Sequence, residues 1–230
     1  MINIMRESMA SRSDLKEASL RRILTAGASR LRVEGLSGAA IAPVMQEAGL
    51  THGAFYGHFN NKEDLAAAAF RFALVDNRQR WTGQARQESW PSRVVRLGKR
   101  YLTIAHRDDL ADSCALAALA SDAARSSPGF KKVYEEELRK SLRAVCIPPD
   151  EGSPIDPARL NDAIALMALC VGAISLARAV DNPVFSEQIL TVCRQAVERI
   201  ARPENESPTS VEVPDHPGNR SDAARTDEHR

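Results

Sequence analysis

The sequence is poor in cysteine, and the cysteines it has are not spaced as metal ligands or as a redox pair. None of the four follows the CxxC spacing that zinc knuckles and thioredoxin-like motifs use. The N-terminus carries scattered charges and lacks the apolar core of an export signal. We therefore expect reduced thiols in a cytoplasmic protein that holds no structural metal. The cysteines are Cys114, Cys146, Cys170 and Cys193.

Long hydrophobic runs are also absent. No uninterrupted apolar stretch approaches the roughly 20 residues that a membrane-spanning helix needs. The longest apolar-rich run, 163–177, is interrupted by Gly172 and Ser175. This run therefore predicts a buried helix, and the sequence predicts no membrane span.

The charge of the chain is almost balanced, which excludes a polycation that binds nucleic acid over its whole surface. The formal net charge is +1, so any affinity for nucleic acid has to come from local charge. Residues 1–62 carry eight Lys and Arg against five Asp and Glu. This local surplus agrees with an N-terminus that faces DNA.

The motifs of common enzyme classes are missing as well. The sequence has no Gly-rich phosphate loop, no nucleophile elbow and no metal-binding motif. His106 and the acids Asp108, Asp109 and Asp112 lack the compact spacing of a metal site, and we interpret them as solvated loop charge. The same acids would discourage thiolate formation at Cys114, which argues against the alternative of a redox sensor. We expect neither an enzyme nor a bound cofactor.

Helical periodicity runs through the chain, and no segment shows a sustained period of two. Apolar residues recur at helical spacing, and capping and breaker residues divide the chain into nine predicted helices. Their approximate bounds are 15–33, 39–48, 52–59, 62–81, 91–106, 114–125, 128–145, 157–180 and 183–200. The sequence therefore predicts an all-α fold. Residues 203–230 have four prolines and no aromatics, which predicts a disordered tail.

The segment 35–65, GLSGAAIAPVMQEAGLTHGAFYGHFNNKEDL, has the pattern of a helix-turn-helix. Two short predicted helices flank 48–51, where Gly49 supplies the positive φ that a tight turn needs. Thr51 is placed to cap the second of these helices. The helix N-terminus then points backbone N–H groups outward, where they can meet a phosphate.

Within this segment, AGLTHGAFYGHFNNKEDL closely resembles the signature of the TetR (tetracycline-repressor) family. Outside 14–75 the resemblance is mainly one of size and helix number. It implies a three-helix DNA-binding domain over 13–62, with a recognition helix at about 52–59, and an effector-binding and dimerisation domain over 63–202. The matching residues are Ala48, Gly49, Leu50, Thr51, Gly53, Phe55, Tyr56, His58, Phe59, Lys62, Glu63 and Leu65.

The resemblance implies two sets of DNA contacts. Donor side chains are expected at phosphates, and these are Thr51, Tyr56, His58 and Lys62. A second set is expected at base edges, and it consists of Ala39, Ala40, Pro43, His52 and Gly53. Ala39 departs from the family pattern, which often has Thr there. Pro43 lacks an N–H, so its helix is expected to start late or to kink.

Core packing is the alternative for some of these positions. We expect Phe59 to pack in the core, and His58 could be a packed histidine instead of a phosphate contact.

The two last predicted helices carry apolar stripes that could dock against a second copy as a four-helix bundle. The resemblance implies a homodimer through these helices and a palindromic double-stranded operator. The stripes could instead pack only within their own subunit.

The resemblance also implies a pocket for a small-molecule effector among the fourth to eighth helices. A mostly apolar lining would favour an uncharged or aromatic effector, although each candidate could also be plain core. The candidate lining residues are Phe70, Phe72, Trp81, Tyr101, Ile104, Cys114, Leu116, Leu119, Phe130, Tyr134, Met167 and Val171.

Together these features predict a sequence-specific DNA-binding regulator, and most simply a repressor released by its effector. Two alternatives remain at this point: an activator or ligand-independent regulator with the same domain, and a helical module that binds other proteins.

Overall fold

The computed structural model describes residues 11–83, 88–146 and 154–201. The tail expected at 203–230 lies outside them. Within the described ranges every regular element is helical, which confirms the all-α prediction. The helices are α1 (Arg12–Glu34), α2 (Ile41–Glu47), α3 (His52–Phe55), α4 (Lys62–Thr82), α5 (Trp90–Tyr101), α6 (Ile104–Asp108), α7 (Ala115–Arg125), α8 (Pro128–Cys146), α9 (Pro157–Ala179) and α10 (Pro183–Ile200), with a 3-10 helix (Gly35–Ala39) between α1 and α2.

The count of nine predicted helices is wrong for the described residues, because the fifth is divided into α5 and α6. The chain leaves α5 at Leu102, which is fully buried. Thr103 then takes an extended conformation, and its hydroxyl accepts a hydrogen bond from the His106 backbone nitrogen at 3.1 Å. A threonine in this position caps a new helix, and the sequence-based prediction overlooked it.

The second predicted helix starts late, as Pro43 suggested. α2 begins at Ile41, and its first intrahelical bond runs from the Val44 nitrogen to the Ala40 oxygen at 3.2 Å. Pro43 therefore occupies the first turn, where backbone N–H groups have no partner in any helix. Its missing N–H costs nothing there. The residues before Ile41 form the 3-10 helix, in which Ala39 is fully buried.

Two hydrophobic clusters organise the interior. The smaller lies in the N-terminal region, where Ile23, Val44, Phe55 and Leu65 pack together. The larger fills the body and includes Leu31, from the C-terminal half of α1. Helices α1 and α4 both contribute to the two clusters. A shift of the body can therefore reach the N-terminal region through rigid helices, without passing through a flexible linker.

By length and composition, α9 is the one helix in the described ranges that could cross a membrane. Such a helix is also typical of the centre of a soluble bundle. It packs against α5, α6, α7, α8 and α10, and its fully buried residues include Leu166, Cys170 and Ile174. We therefore interpret α9 as the central helix of the body.

Candidate nucleic-acid interface and adjoining cavity

The turn between α2 and α3 is held by backbone geometry and by α1. Gly49 has φ 64°, a conformation that is strained for residues with a Cβ atom. The nitrogen of Leu50 donates to the oxygen of Met45 at 2.9 Å, and Arg22 of α1 donates to the oxygen of Gly49 at 3.1 Å. A Cβ atom at Gly49 would lie 2.5 Å from that guanidinium. The positive φ therefore favours glycine here, and a side chain would also displace the end of Arg22.

The recognition segment is shorter as an α-helix than predicted. α3 ends at Phe55, and the chain continues as a turn in which His58 and Phe59 both donate to the Phe55 oxygen, at 2.9 and 3.0 Å. Gly57, which has the lowest helix propensity apart from proline, lies in this turn. Thr51 precedes α3 as expected, but its side chain makes no capping hydrogen bond. Its hydroxyl is therefore available to an external acceptor.

One face of this segment is exposed and carries most of the residues expected at DNA. Tyr56 is 63% exposed, although its two aromatic neighbours Phe55 and Phe59 are buried, as expected for Phe59. Its ring meets that of Phe55 edge-on at 5.2 Å, so the phenol stands on the core and projects outward. The exposed members of the set are Thr51, His52, Gly53, Tyr56 and Lys62.

His58 is only partly exposed on this surface and is bound to α1. Its Nε2 lies 2.8 Å from the Ser19 hydroxyl, and that hydroxyl donates its only proton to the Lys16 oxygen at 2.8 Å. Nε2 must therefore carry the proton that His58 donates to Ser19. Partial burial, assisted by the charge of Lys16, lowers the pKa of His58. We interpret His58 as a residue that ties the recognition segment to α1.

The candidates near α2 are less accessible. Ala39 is fully buried, which removes its side chain from the surface, whereas Ala40 and Pro43 are half-buried. Ser19 and Arg22, which position the recognition segment, were missed because their partners lie 39 and 27 residues away. No local pattern signals such contacts.

A cavity of about 200 Å³ lies in the body between α4, α5, α7 and α9. Five of the candidates line it, namely Trp81, Tyr101, Cys114, Leu116 and Met167. The complete set of lining residues is Leu74, Asn77, Arg78, Arg80, Trp81, Arg100, Tyr101, His106, Asp112, Cys114, Leu116, Ser141 and Met167.

The remaining candidates lie elsewhere. Phe70 stacks on Tyr134 at 5.5 Å, and the Tyr134 hydroxyl donates to the Leu116 oxygen at 2.8 Å. Phe130 lines a separate groove between α4 and α8. Leu119 is core, Phe72 and Val171 are half-buried against the core, and Ile104 is 42% exposed.

The wall of this cavity is more apolar than polar, as expected, but charged side chains also lie at it. Arg80 and Asp112 form a two-pronged ion pair at its edge, with one contact at 2.7 Å, and this bond lowers the pKa of Asp112. Arg78 donates to the buried carboxylate of Glu137 at 2.6 Å. The apolar candidates were chosen by residue type. The rotation of α4 and α5 about their axes also directs long polar side chains of these helices into the cavity.

His106 lies on the far side of the cavity, and its hydrogen bonds select a single tautomer of the imidazole. Its Nε2 accepts a hydrogen bond from the Cys114 backbone nitrogen at 3.1 Å. Nδ1, at 2.8 Å from the Tyr101 oxygen, must therefore be the protonated nitrogen. Burial lowers the pKa of this imidazole. One side chain thereby joins the ends of α5 and α6 to the start of α7, and it is not a solvated loop residue as expected.

The cavity is connected to α1 through the loop before α7 and through α4. Arg32, in the last turn of α1, donates to the oxygens of Ala111 and Ala73 at 3.0 and 3.2 Å. Ala111 belongs to the loop that carries Asp112. The side of the cavity and the end of the first helix therefore share one guanidinium.

The comparison with known families agrees with this geometry. The model for "Bacterial regulatory proteins, tetR family" matches residues 23–69, which span the helix-turn-helix and its flanking helices. The helix-turn-helix domain of this chain belongs to the TetR family. Among TetR proteins this domain binds DNA, and the exposed row from Thr51 to Lys62 lies on it.

Solved structures extend the likeness to the rest of the chain. A TetR transcriptional regulator from Chloroflexus aurantiacus J-10-FL is 22% identical, with a TM-score of 0.63 over 80% of this chain and 94% of that one. The reduced form of Escherichia coli NemR is 18% identical, with a TM-score of 0.63 over 79% and 95%. A TetR-family regulator from Cytophaga hutchinsonii is 23% identical, with a TM-score of 0.59 over 81% and 95%.

At these identities the likeness shows the fold, so the body as well as the domain has a TetR-like architecture. No curated protein matches the sequence.

Proposed function

We propose that the chain is a cytoplasmic repressor that binds a palindromic DNA operator as a homodimer and is released by a small molecule. The observation that carries the proposal is the exposed row of Thr51, His52, Gly53, Tyr56 and Lys62 on a TetR-family domain. Hydroxyl and ammonium groups suit phosphate oxygens, and an imidazole at the first residue of α3 suits a purine edge in the major groove.

A second copy would cover an apolar surface on the last two helices. Of the eleven large apolar side chains that are exposed in the described ranges, five lie there, with exposures from 48 to 75%. Small residues between them on α9, such as Ala168 and Gly172, leave room for close approach of a partner helix. The five are Ile164, Leu176, Val184, Phe185 and Val192.

Regulation would act through the cavity, because it touches the elements that position the DNA-binding domain. A ligand that disturbs the Arg80–Asp112 pair would move the loop before α7, whose backbone accepts a hydrogen bond from Arg32 of α1. If ligand and operator favour different arrangements of α1, each weakens binding of the other. The sequence suggested a largely apolar effector, whereas the charged lining favours an amphipathic one.

Selection of bound sequences from a random DNA pool tests the proposal, with purified protein at a fixed near-physiological salt concentration. We expect a palindrome whose half-sites lie about one helical turn apart, and an affinity that falls steeply with salt. No enrichment by folded protein would contradict the proposal and favour a protein-binding module. An activator would recover the same palindrome but would not repress transcription from it in a purified system. A ligand-independent repressor would repress it, but no small molecule would relieve the repression.

A further inference from the structure

The cavity contains more positive than negative charge, and one of its cations forms no ion pair with any residue in the described part of the chain. Arg80 is neutralised by Asp112 and Arg78 by Glu137. Arg100 also lines the cavity, yet it makes no hydrogen bond or ion pair with any residue that the structure describes. A guanidinium at the mouth of a pocket is a strong partner for a carboxylate, which it can bind through two parallel hydrogen bonds.

A second polar group at the cavity has only a weak partner. Tyr101 is 3% exposed, and its buried hydroxyl lies beside the Cys114 thiol, a weak acceptor, with no oxygen or nitrogen acceptor in the described residues. His106 cannot serve, because one ring nitrogen donates to the Tyr101 backbone and the other accepts from Cys114. Burial also raises the pKa of the phenol well above its ordinary value, so the hydroxyl keeps its proton. Buried donors without acceptors are rare and costly in folded proteins.

The remaining walls are mostly apolar. Leu74, Trp81, Leu116 and Met167 contribute hydrophobic and aromatic surface. A volume of about 200 Å³ corresponds to roughly seven water molecules at about 30 Å³ each. That space accommodates one aromatic ring with short substituents.

From these three observations we infer that the effector is a monocyclic aromatic acid. Its ring packs against the apolar wall, its carboxylate pairs with Arg100, and one of its oxygens accepts the hydrogen bond of Tyr101. The inference rests on the proposed function for its regulatory meaning, but the binding itself can be measured without DNA.

The test is isothermal titration of the full-length protein with three probes of nearly equal shape: benzoate, benzamide and benzylamine. We expect benzoate to bind at least about tenfold more tightly than benzamide, and benzylamine to bind most weakly. In Arg100→Gln the preference for benzoate over benzamide should disappear. Lys99→Gln is the matched control, because Lys99 is the neighbouring cation and does not line the cavity.

Tyr101→Phe gives a readout that a merely structural role would not produce. Removing a buried hydroxyl whose only neighbour is a weak sulfur acceptor should leave the melting temperature of the free protein unchanged or raise it, while benzoate affinity falls by about fivefold. Equal affinities for benzoate and benzamide, no benzoate binding at millimolar concentrations, or an unchanged preference in Arg100→Gln would each overturn the inference.

DNA selection on the same preparation separates the two proposals. Benzoate binding without release of operator leaves this inference standing and contradicts ligand-released repression.

Discussion

The carboxylate of Asp122 accepts a hydrogen bond at 2.7 Å from the backbone nitrogen of Leu36. Asp122 lies on α7, the helix whose first residues border the cavity, and Leu36 lies in the 3-10 helix that precedes α2. The same carboxylate seats against Gly35, where a Cβ atom would collide with it. The body is therefore connected to the 3-10 helix that precedes the helix-turn-helix by one charge-assisted hydrogen bond and one close contact.

Asp122→Ala should weaken this connection. The Leu36 N–H would lose its acceptor at a half-buried site, which should cost about 1–2 kcal/mol of unfolding free energy. Urea denaturation measures the loss. Arg125→Ala is the control, because it removes only an exposed 3.4 Å ion pair to the same carboxylate and should cost well under 1 kcal/mol. Equal losses in the two variants would assign the effect to the ion pair.

Lys62→Ala and Tyr56→Phe should weaken binding to every DNA sequence alike, because phosphate contacts carry no base information. For Lys62→Ala the slope of log affinity against log salt should become shallower by about one. Filter binding or fluorescence anisotropy over a salt series provides the measurement. Lys99→Ala, on α5 in the body, should leave both affinity and slope unchanged. A sequence-dependent loss in Lys62→Ala would mean that this lysine also reads bases.

His52→Ala should instead change preference at one position per half-site, since His52 is exposed at the first residue of α3. The loss at that base pair should be about 1–3 kcal/mol. Repeating the DNA selection with the variant locates the position. Thr51→Ala is a useful comparison, because loss of a phosphate donor should be uniform. If His52→Ala lost affinity equally at all positions, its base-reading role would be refuted.

The free energy of unfolding should decrease as the pH falls below neutrality, because His106 is partly buried and its pKa is lowered in the folded protein. Burial lowers its pKa, and Arg178 and Arg80 assist, whereas the hydrogen bond with the Tyr101 backbone and the charge of Asp109 oppose the shift. An unfolded chain protonates this residue near the ordinary pKa of about 6.5. Its contribution is therefore present above about pH 6.5 and is lost as the pH falls towards the lower folded-state value. Melting temperatures across pH 5–8 report the slope.

Two variants identify the source of that slope. His106→Gln should flatten it, although part should remain because the pKa of His58 is also lowered. His52→Gln, at an exposed position, should leave it unchanged. Carboxylates act in a separate, more acidic range; Glu88, for example, has a pKa of about 2, chiefly through its hydrogen bond from Arg96. An unaltered slope in His106→Gln would contradict this assignment.

Leu176→Glu and Val192→Glu should separate the proposed dimer, because each places a charge in the apolar surface of α9 and α10. Size-exclusion chromatography with light scattering should give the mass of one chain at concentrations where the unaltered protein has twice that mass. Val75→Glu is the matched control, since Val75 is 57% exposed on α4. A monomeric mass for the unaltered protein, or retained dimers in both variants, would count against this interface.

Much of the fold follows from local signals. The helices that begin at Lys62, Pro157 and Pro183 have capping asparagine or aspartate residues immediately before them, and these boundaries were predicted correctly. Such a cap acts within three residues, so it is visible in the sequence. The short α3 and the division of α5 from α6 were missed. Each depends on one turn, at Gly57 or Thr103, where local preference competes with tertiary packing.

The candidate site divides in the same way. The exposure of Thr51 and Tyr56 could be anticipated because they belong to one local motif. The bond between His58 and Ser19, and the arginines at the cavity, could not be anticipated. They depend on the rotation of one helix against another, which residue type does not determine. The choice of pocket residues by hydrophobicity therefore found Trp81 and Met167 but overlooked Arg100.

Substitutions at three glycines should produce two distinct phenotypes in a saturation-mutagenesis library. At Gly35 φ is 68° and a side chain meets Asp122, and at Gly98 a Cβ atom would lie 2.7 Å from Val197. Alleles at these positions should lower the cellular amount of folded protein. At Gly53 a Cβ atom would have no neighbouring atom within 4 Å, so its alleles should accumulate normally and still fail to regulate. A screen that records protein abundance together with reporter output would thus separate folding defects from lost DNA contact at single positions.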